Sequence, residues 1–152
     1  MLLDRQLILS LIPHQGSMCL HDEVLEWDPD RLRLRSAGHR SPLHPLRSRG
    51  RLHAVHLCEY GAQAMAVHGG LLARELGQVA APGLLVSLRQ IELHCARLDL
   101  FDDDLVTHAE RLLDNGSSWQ YSFGIEHRGL LLASGRAAVM LRPPADTEKE
   151  SS

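Results

Sequence analysis

Glu59 is the residue of this chain whose setting most invites chemistry. Its neighbours Val55, Leu57, Cys58, Ala62 and Met65 are apolar or small on all sides. A helix carboxylate is ordinarily solvated. One set among apolar side chains is partly desolvated, which favours its protonated, acid form. Gln63 follows four residues later, on the same face of a helix, where it can fix the orientation of that carboxyl. Histidine is the other abundant titratable type, with ten in the chain, each near pKa 6.5 when unperturbed. His39, His44, His53 and His56 crowd the stretch before Glu59, and His53 and His56 flank the start of its helix. Their spacing fits no zinc pattern and no Cys or Asp completes a set, so no metal is expected. Cys58 points about 100° around the helix from Glu59 and makes a poor partner for it. Cys19, Cys58 and Cys95 are an odd number without CxxC spacing, which gives neither a disulfide framework nor a zinc motif.

Arginine carries almost all the positive charge: of sixteen basic residues only Lys149 is a lysine. Seven arginines fall between Arg31 and Arg51, including Arg40, Arg47, Arg49 and Arg51 in one irregular stretch. They read either as a solvated strand face with a polar loop or as a docking patch for an acidic partner. Net charge is −3 over 152 residues, so no nucleic-acid partner is expected.

The elements that must position these groups follow from periodicity. Residues 4–12 have apolar positions 7, 8, 11 and 12, a short amphipathic helix stopped at Pro13. Residues 17–27 and 31–35 read as strands around the turn Asp28-Pro29-Asp30, and residues 36–52 as a long loop. The one long helix covers 53–76, with Gly77 as its stop. It carries Gly61, Gly69 and Gly70, each costing about 1 kcal/mol against alanine, so it must gain by close packing against other backbone. Strands follow at 84–96, 104–114, 118–127 and 130–141, with Asn115-Gly116 a hairpin turn. Asp102-Asp103-Asp104 reads as a solvated turn. The expectation is one α+β domain over residues 1–142 with a long central helix and an antiparallel sheet, and a disordered tail at 143–152. The N-terminal residues are too charged for a secretory signal and no membrane span is present, so a cytoplasmic protein is expected.

Two segments carry a family resemblance. Leu11-Ile12-Pro13-His14 through Asp22-Glu23-Val24 is similar to an opening of Leu-Pro-His, a short apolar run and Asp-x-Val; Glu59-Tyr60-Gly61-Ala62-Gln63 is similar to Glu-x-x-Ala-Gln. Together they resemble the 3-hydroxyacyl-acyl carrier protein dehydratases, whose fold is the hot dog, a long central helix wrapped by a curved sheet. With His44-Pro45-Leu46-Arg47 and Gly50-Arg51-Leu52, the resemblance narrows to the dehydratase-like proteins of aryl-polyene pigment clusters. It implies a dyad of Glu59 and a loop histidine, carried to His44, which stands fifteen residues before Glu59. His53 is the alternative. This chain departs from the family in lacking its Gly-His-Phe-Pro-Gly segment, and in having His53-Ala54 where Pro-Gly is usual. His14 reads as structural.

Dehydration of a 3-hydroxyacyl thioester needs a base at C2, an acid for the C3 hydroxyl and donors for the thioester oxygen. The resemblance gives the first two roles to His44 and Glu59, with Gln63 and His53 orienting or lining the site. Backbone N–H groups at the helix start, around Ala54 and Val55, suit the third. No cofactor is implied. The implied partner is an acyl carrier protein bearing a 3-hydroxyacyl chain, docked on Arg40, Arg47, Arg49 and Arg51. A homodimer or a hot-dog heterodimer is implied as the working unit, which fits one helix and one sheet with an exposed edge. Two rivals stand: a thioesterase on the same fold, and a non-catalytic acyl-binding or heterodimer partner subunit.

Overall fold

The computed structural model describes residues 3–13, 16–78 and 83–141. His14, residues 79–82 and the expected tail at 143–152 lie outside these. The short helix α1 spans Arg5–Leu11, capped by the Asp4 carboxylate, which accepts from the Leu7 N–H, and it buries Ile8. Strands β1 (Glu23–Trp27) and β2 (Arg31–Ser36) follow, then helix α2 (Leu57–Glu75), entered through a 3-10 turn at Ala54–His56. Strands β3 (Gly83–Leu93), β4 (Leu105–Asp114), β5 (Ser118–His127) and β6 (Leu130–Leu141) complete the chain. All six form one antiparallel sheet in the order β1-β2-β4-β5-β6-β3. This is the one long helix against an antiparallel sheet, with a short helix ahead of it, that the periodicity predicts. No helix among the described residues is long and apolar enough to cross a membrane.

Three sequence expectations need correction. The strand expected over 17–27 starts only at Glu23, after a 3-10 turn at Gly16–Met18, because the backbone at Met18 and Leu20 bonds a helix side chain instead of a strand. The third strand stops at Leu93, short of 96, since Ala96 turns its carbonyl to the N–H of Ala54. The aspartates at 102–104 are not simply solvated: Asp104 pairs with Arg35 and Arg40, and Arg128 with both Asp102 and Asp103.

The small residues of α2 are explained by how near it lies to its neighbours. A Cβ added at Gly61 would stand 2.5 Å from the Phe123 ring of β5, and one at Gly70 would stand 2.8 Å from Leu11 Cβ. The helix buries Leu57, Tyr60, Ala64, Val67 and Leu71 against Leu105, Ala109, Tyr121, Phe123 and Ile125 of the sheet. Propensity is sacrificed so that backbone can meet ring directly.

Gly61→Ala is therefore expected to destabilise the protein by about 1–3 kcal/mol in urea unfolding despite alanine's better helix propensity. The penalty should shrink in a Phe123→Leu background. A neutral or stabilising Gly61→Ala would show that the helix does not need this approach.

Candidate active site

The 3-10 turn at Ala54–His56 sets the start of the long helix, but it leaves few backbone donors. The Ala54 N–H is spent on Ala96 O at 2.9 Å and the His56 N–H on His53 O at 3.1 Å. Of the donors expected around Ala54 and Val55, only the Val55 N–H has no acceptor among the described residues. Val55 itself is exposed, as is His53.

One turn into α2, Glu59 is half-buried and accepts from Gln63 Nε2 at 3.3 Å. Gln63 is fully buried. Its Oε1 accepts from the Leu20 N–H at 2.9 Å, and its Nε2 donates to Met18 O at 2.7 Å. Those two backbone partners admit one amide orientation, carbonyl to N–H and amino to C=O. The remaining amino hydrogen is thereby aimed at Glu59, the orienting role that the i, i+4 spacing predicts.

His44 is 8% exposed and faces Tyr60, the neighbour of Glu59, with its Nε2 3.1 Å from the Tyr60 hydroxyl. Its Nδ1 accepts the N–H of Leu46 at 3.1 Å. A neutral imidazole has one acceptor and one donor nitrogen, so the Leu46 N–H leaves the proton on Nε2, donated toward Tyr60. Burial pushes the His44 pKa from 6.5 down to about 4, with Arg47, His56 and His39 acting the same way. His44 is thus a neutral, buried donor. The free lone pair that a base needs is not on offer in this arrangement.

Tyr60 and His21 escape notice in the sequence and are central to the site. Tyr60 is fully buried, and burial raises its hydroxyl pKa. His21 is fully buried too, its Nε2 donating to Tyr60 O at 2.9 Å and its Nδ1 accepting from Ser36 Oγ at 2.8 Å. Burial lowers the His21 pKa to about 4. The only sequence signal for Tyr60 is its place beside Glu59, and His21 falls in a segment read as strand.

The loop bearing His44 is fastened from the far side. The Asp99 side chain is 5% exposed, accepts the Leu52 N–H at 2.9 Å, and pairs with Arg97 and, at 3.8 Å, Arg47. The Arg97 hydrogen bond holds its carboxyl well below the usual carboxylate range. Arg47 also donates to Ser41 O, Gly50 O and His39 O, and Arg40 to Asp102 O. Of the four arginines expected to dock a partner, Arg40 and Arg47 thus make contacts within the chain, while Arg49 and Arg51 are exposed, with no side-chain partner among the described residues. Among the described residues no group of three or more His, Cys, Asp or Glu stands where it could hold a metal ion.

The model of the ApeP-like family, described as ApeP dehydratase, matches residues 6–150. The chain belongs to the ApeP-like dehydratase family. No match is found among curated proteins. Among solved structures, the dehydratase heterocomplex ApeI:P from Xenorhabdus doucetiae superposes with a TM-score of 0.82 at 19% identity, over 93% of this chain and 95% of that one. Zebra fish thioesterase superfamily member 2 gives 0.63 at 20% identity, covering 91% and 95%. A hypothetical thioesterase with coenzyme A from Streptococcus pneumoniae gives 0.59 at 13% identity, covering 82% and 88%. These likenesses establish the hot-dog fold, which dehydratases and thioesterases share.

Buried neutral histidines tie stability of this ApeP-like domain to pH. His21 has a folded pKa of about 4 against an unfolded value near 6.5, so below 6.5 the unfolded chain binds more protons. Stability is full above pH 6.5 and falls as pH drops toward 4, by about 3 kcal/mol for His21 alone. Thermal unfolding from pH 7.5 to 4.5 should show this loss, and it should be shallower in His21→Gln. A flat profile would contradict the burial of a neutral ring.

Proposed function

We propose that this chain is one subunit of a two-subunit dehydratase that removes water from a carrier-bound 3-hydroxyacyl thioester, with Glu59 as its acid. The observation that carries the reading is the Gln63 clamp, which holds a half-buried carboxyl in one orientation at the start of the central helix. Gln63 donates one amino hydrogen to Oε1 of this carboxyl. Glu59 gives its proton to the departing C3 hydroxyl, and the hydroxyl leaves as water. The electron pair of the broken C2–H bond forms the C2–C3 double bond. The thioester oxygen takes its charge-stabilising hydrogen bond from the Val55 N–H at the helix start.

The base at C2 is assigned to an imidazole of the second subunit. His44 has its proton on the nitrogen that faces Tyr60, and taking a proton there would mean giving up Leu46 or Tyr60 first. A symmetric pair of this chain would carry the same locked ring twice, so a different hot-dog subunit serves better. The outer edge of β3, eleven residues long, has no strand partner among the described residues, and Leu43 beside His44 is 85% exposed. Both favour a covering partner. The similarity to a dehydratase heterocomplex agrees with that arrangement.

Mass spectrometry of a 3-hydroxyacyl carrier protein incubated with the pure chain tests this. Little loss of water is expected from the chain alone, and added imidazole, standing in for the missing base, should raise it. Full turnover indifferent to imidazole would put the base within this chain, at His44 or His53. Release of the free 3-hydroxy acid would make the protein a thioesterase. Absence of any product even with imidazole would leave it a non-catalytic partner.

A further inference from the structure

Between the His44 loop and the central helix the chain makes a tight hairpin that no step of the proposed reaction uses. Ser48 and Arg51 exchange both backbone hydrogen bonds, at 2.8 and 3.0 Å, across Arg49 and Gly50. Both central residues have positive φ, 54° for Arg49 and 75° for Gly50, the pattern of a type I′ turn. A left-handed arginine is unusual, since a Cβ disfavours that conformation and asparagine or glycine would meet it at less cost. Strained backbone of this kind persists where its surroundings impose it. Here Arg47 donates to Gly50 O at 2.9 Å and is itself held by Asp99.

The result is a braced turn that displays two guanidinium groups. Ser48, Arg49, Arg51 and His53 line a surface cleft of about 310 Å3. Four other arginines of this region are satisfied: Arg33 by Glu26, Arg35 by Glu23 and Asp104, Arg40 by Asp104, Arg47 by Asp99 and three carbonyls. Arg49 and Arg51 have no acceptor among the described residues, and no carboxylate lines the cleft. Paired guanidinium groups with a hydroxyl and an imidazole beside them match the acceptor oxygens of a phosphate ester.

We infer that the Ser48–Arg51 hairpin and His53 form a clasp for the phosphate at the head of a phosphopantetheine arm. This rests on the dehydratase reading for the arm's cargo. His53 stands six residues before Glu59, on the order of 10 Å at helical rise, a gap that a pantetheine arm is long enough to span. The clasp would hold the phosphate while the thioester reaches the carboxyl, so it recognises the carrier's prosthetic arm and is indifferent to the acyl group.

Binding of phosphopantetheine and of pantetheine, which lacks the phosphate, tests the clasp by calorimetry on the full chain without any turnover. Phosphopantetheine should bind about tenfold or more tighter, and Arg49→Ala with Arg51→Ala should erase the difference. Arg31→Ala with Arg33→Ala removes the same charge elsewhere and should leave it intact. Coenzyme A should bind like phosphopantetheine if the shared phosphate is what is read. Equal binding of the two arms, an equal loss in the Arg31/Arg33 control, or binding of coenzyme A alone would each overturn the clasp. Because no water loss is read, a failed dehydration assay with phosphate discrimination intact sinks only the reaction, and the reverse pattern sinks only the clasp.

Discussion

A side-chain amide sealed from water must find partners for its carbonyl and its amino hydrogens, because each one left unmet costs roughly 1–3 kcal/mol. Gln63 meets that demand with Leu20 N, Met18 O and Glu59. The arrangement does three things together. It sews the chain ahead of β1 onto the central helix, it decides which way the amide faces, and through that it aims an amino hydrogen at Glu59. The conformation of the candidate acid is thus inherited from a buried polar contact rather than from the surface.

The same economy governs the histidines. His21, His44 and His68 are buried with both ring nitrogens engaged, and burial lowers the pKa of each. A ring so held is a fixed donor–acceptor pair and serves as structure. His44 touches the neighbour of the candidate acid yet has no lone pair to spare, which is the ground for proposing a base from a second subunit. Asp99 belongs to the same framework: a buried carboxylate balanced by Arg97 and Arg47, it fastens the His44 loop and braces the turn carrying Arg49.

Much of this is legible in the sequence. The central helix, the hairpin at Asn115-Gly116 and the pairing of the last three strands follow from periodicity and turn chemistry, which are local. The three helix glycines announce close approaches before Phe123, Trp119 and Leu11 are known to be what they meet. The Glu59–Gln63 contact follows from spacing alone. What the sequence hides is long-range. Nothing near residue 18 says that its carbonyl belongs to residue 63, so the strand there was expected too early. Arg40 and Arg47 look available until the chain returns at Asp104 and Asp99. The proton position on His44 depends on the backbone N–H of Leu46, which no residue type encodes.

The central claim is that Glu59 supplies the proton to the leaving hydroxyl. Replacing it by the isosteric glutamine keeps the contact geometry with Gln63 while removing the acid, and the rate of water loss from a 3-hydroxyacyl carrier protein, with imidazole present, reads the consequence. The account predicts a fall of roughly 10²-fold or more in Glu59→Gln with thermal stability nearly unchanged. A rate within a few-fold of the parent would contradict it.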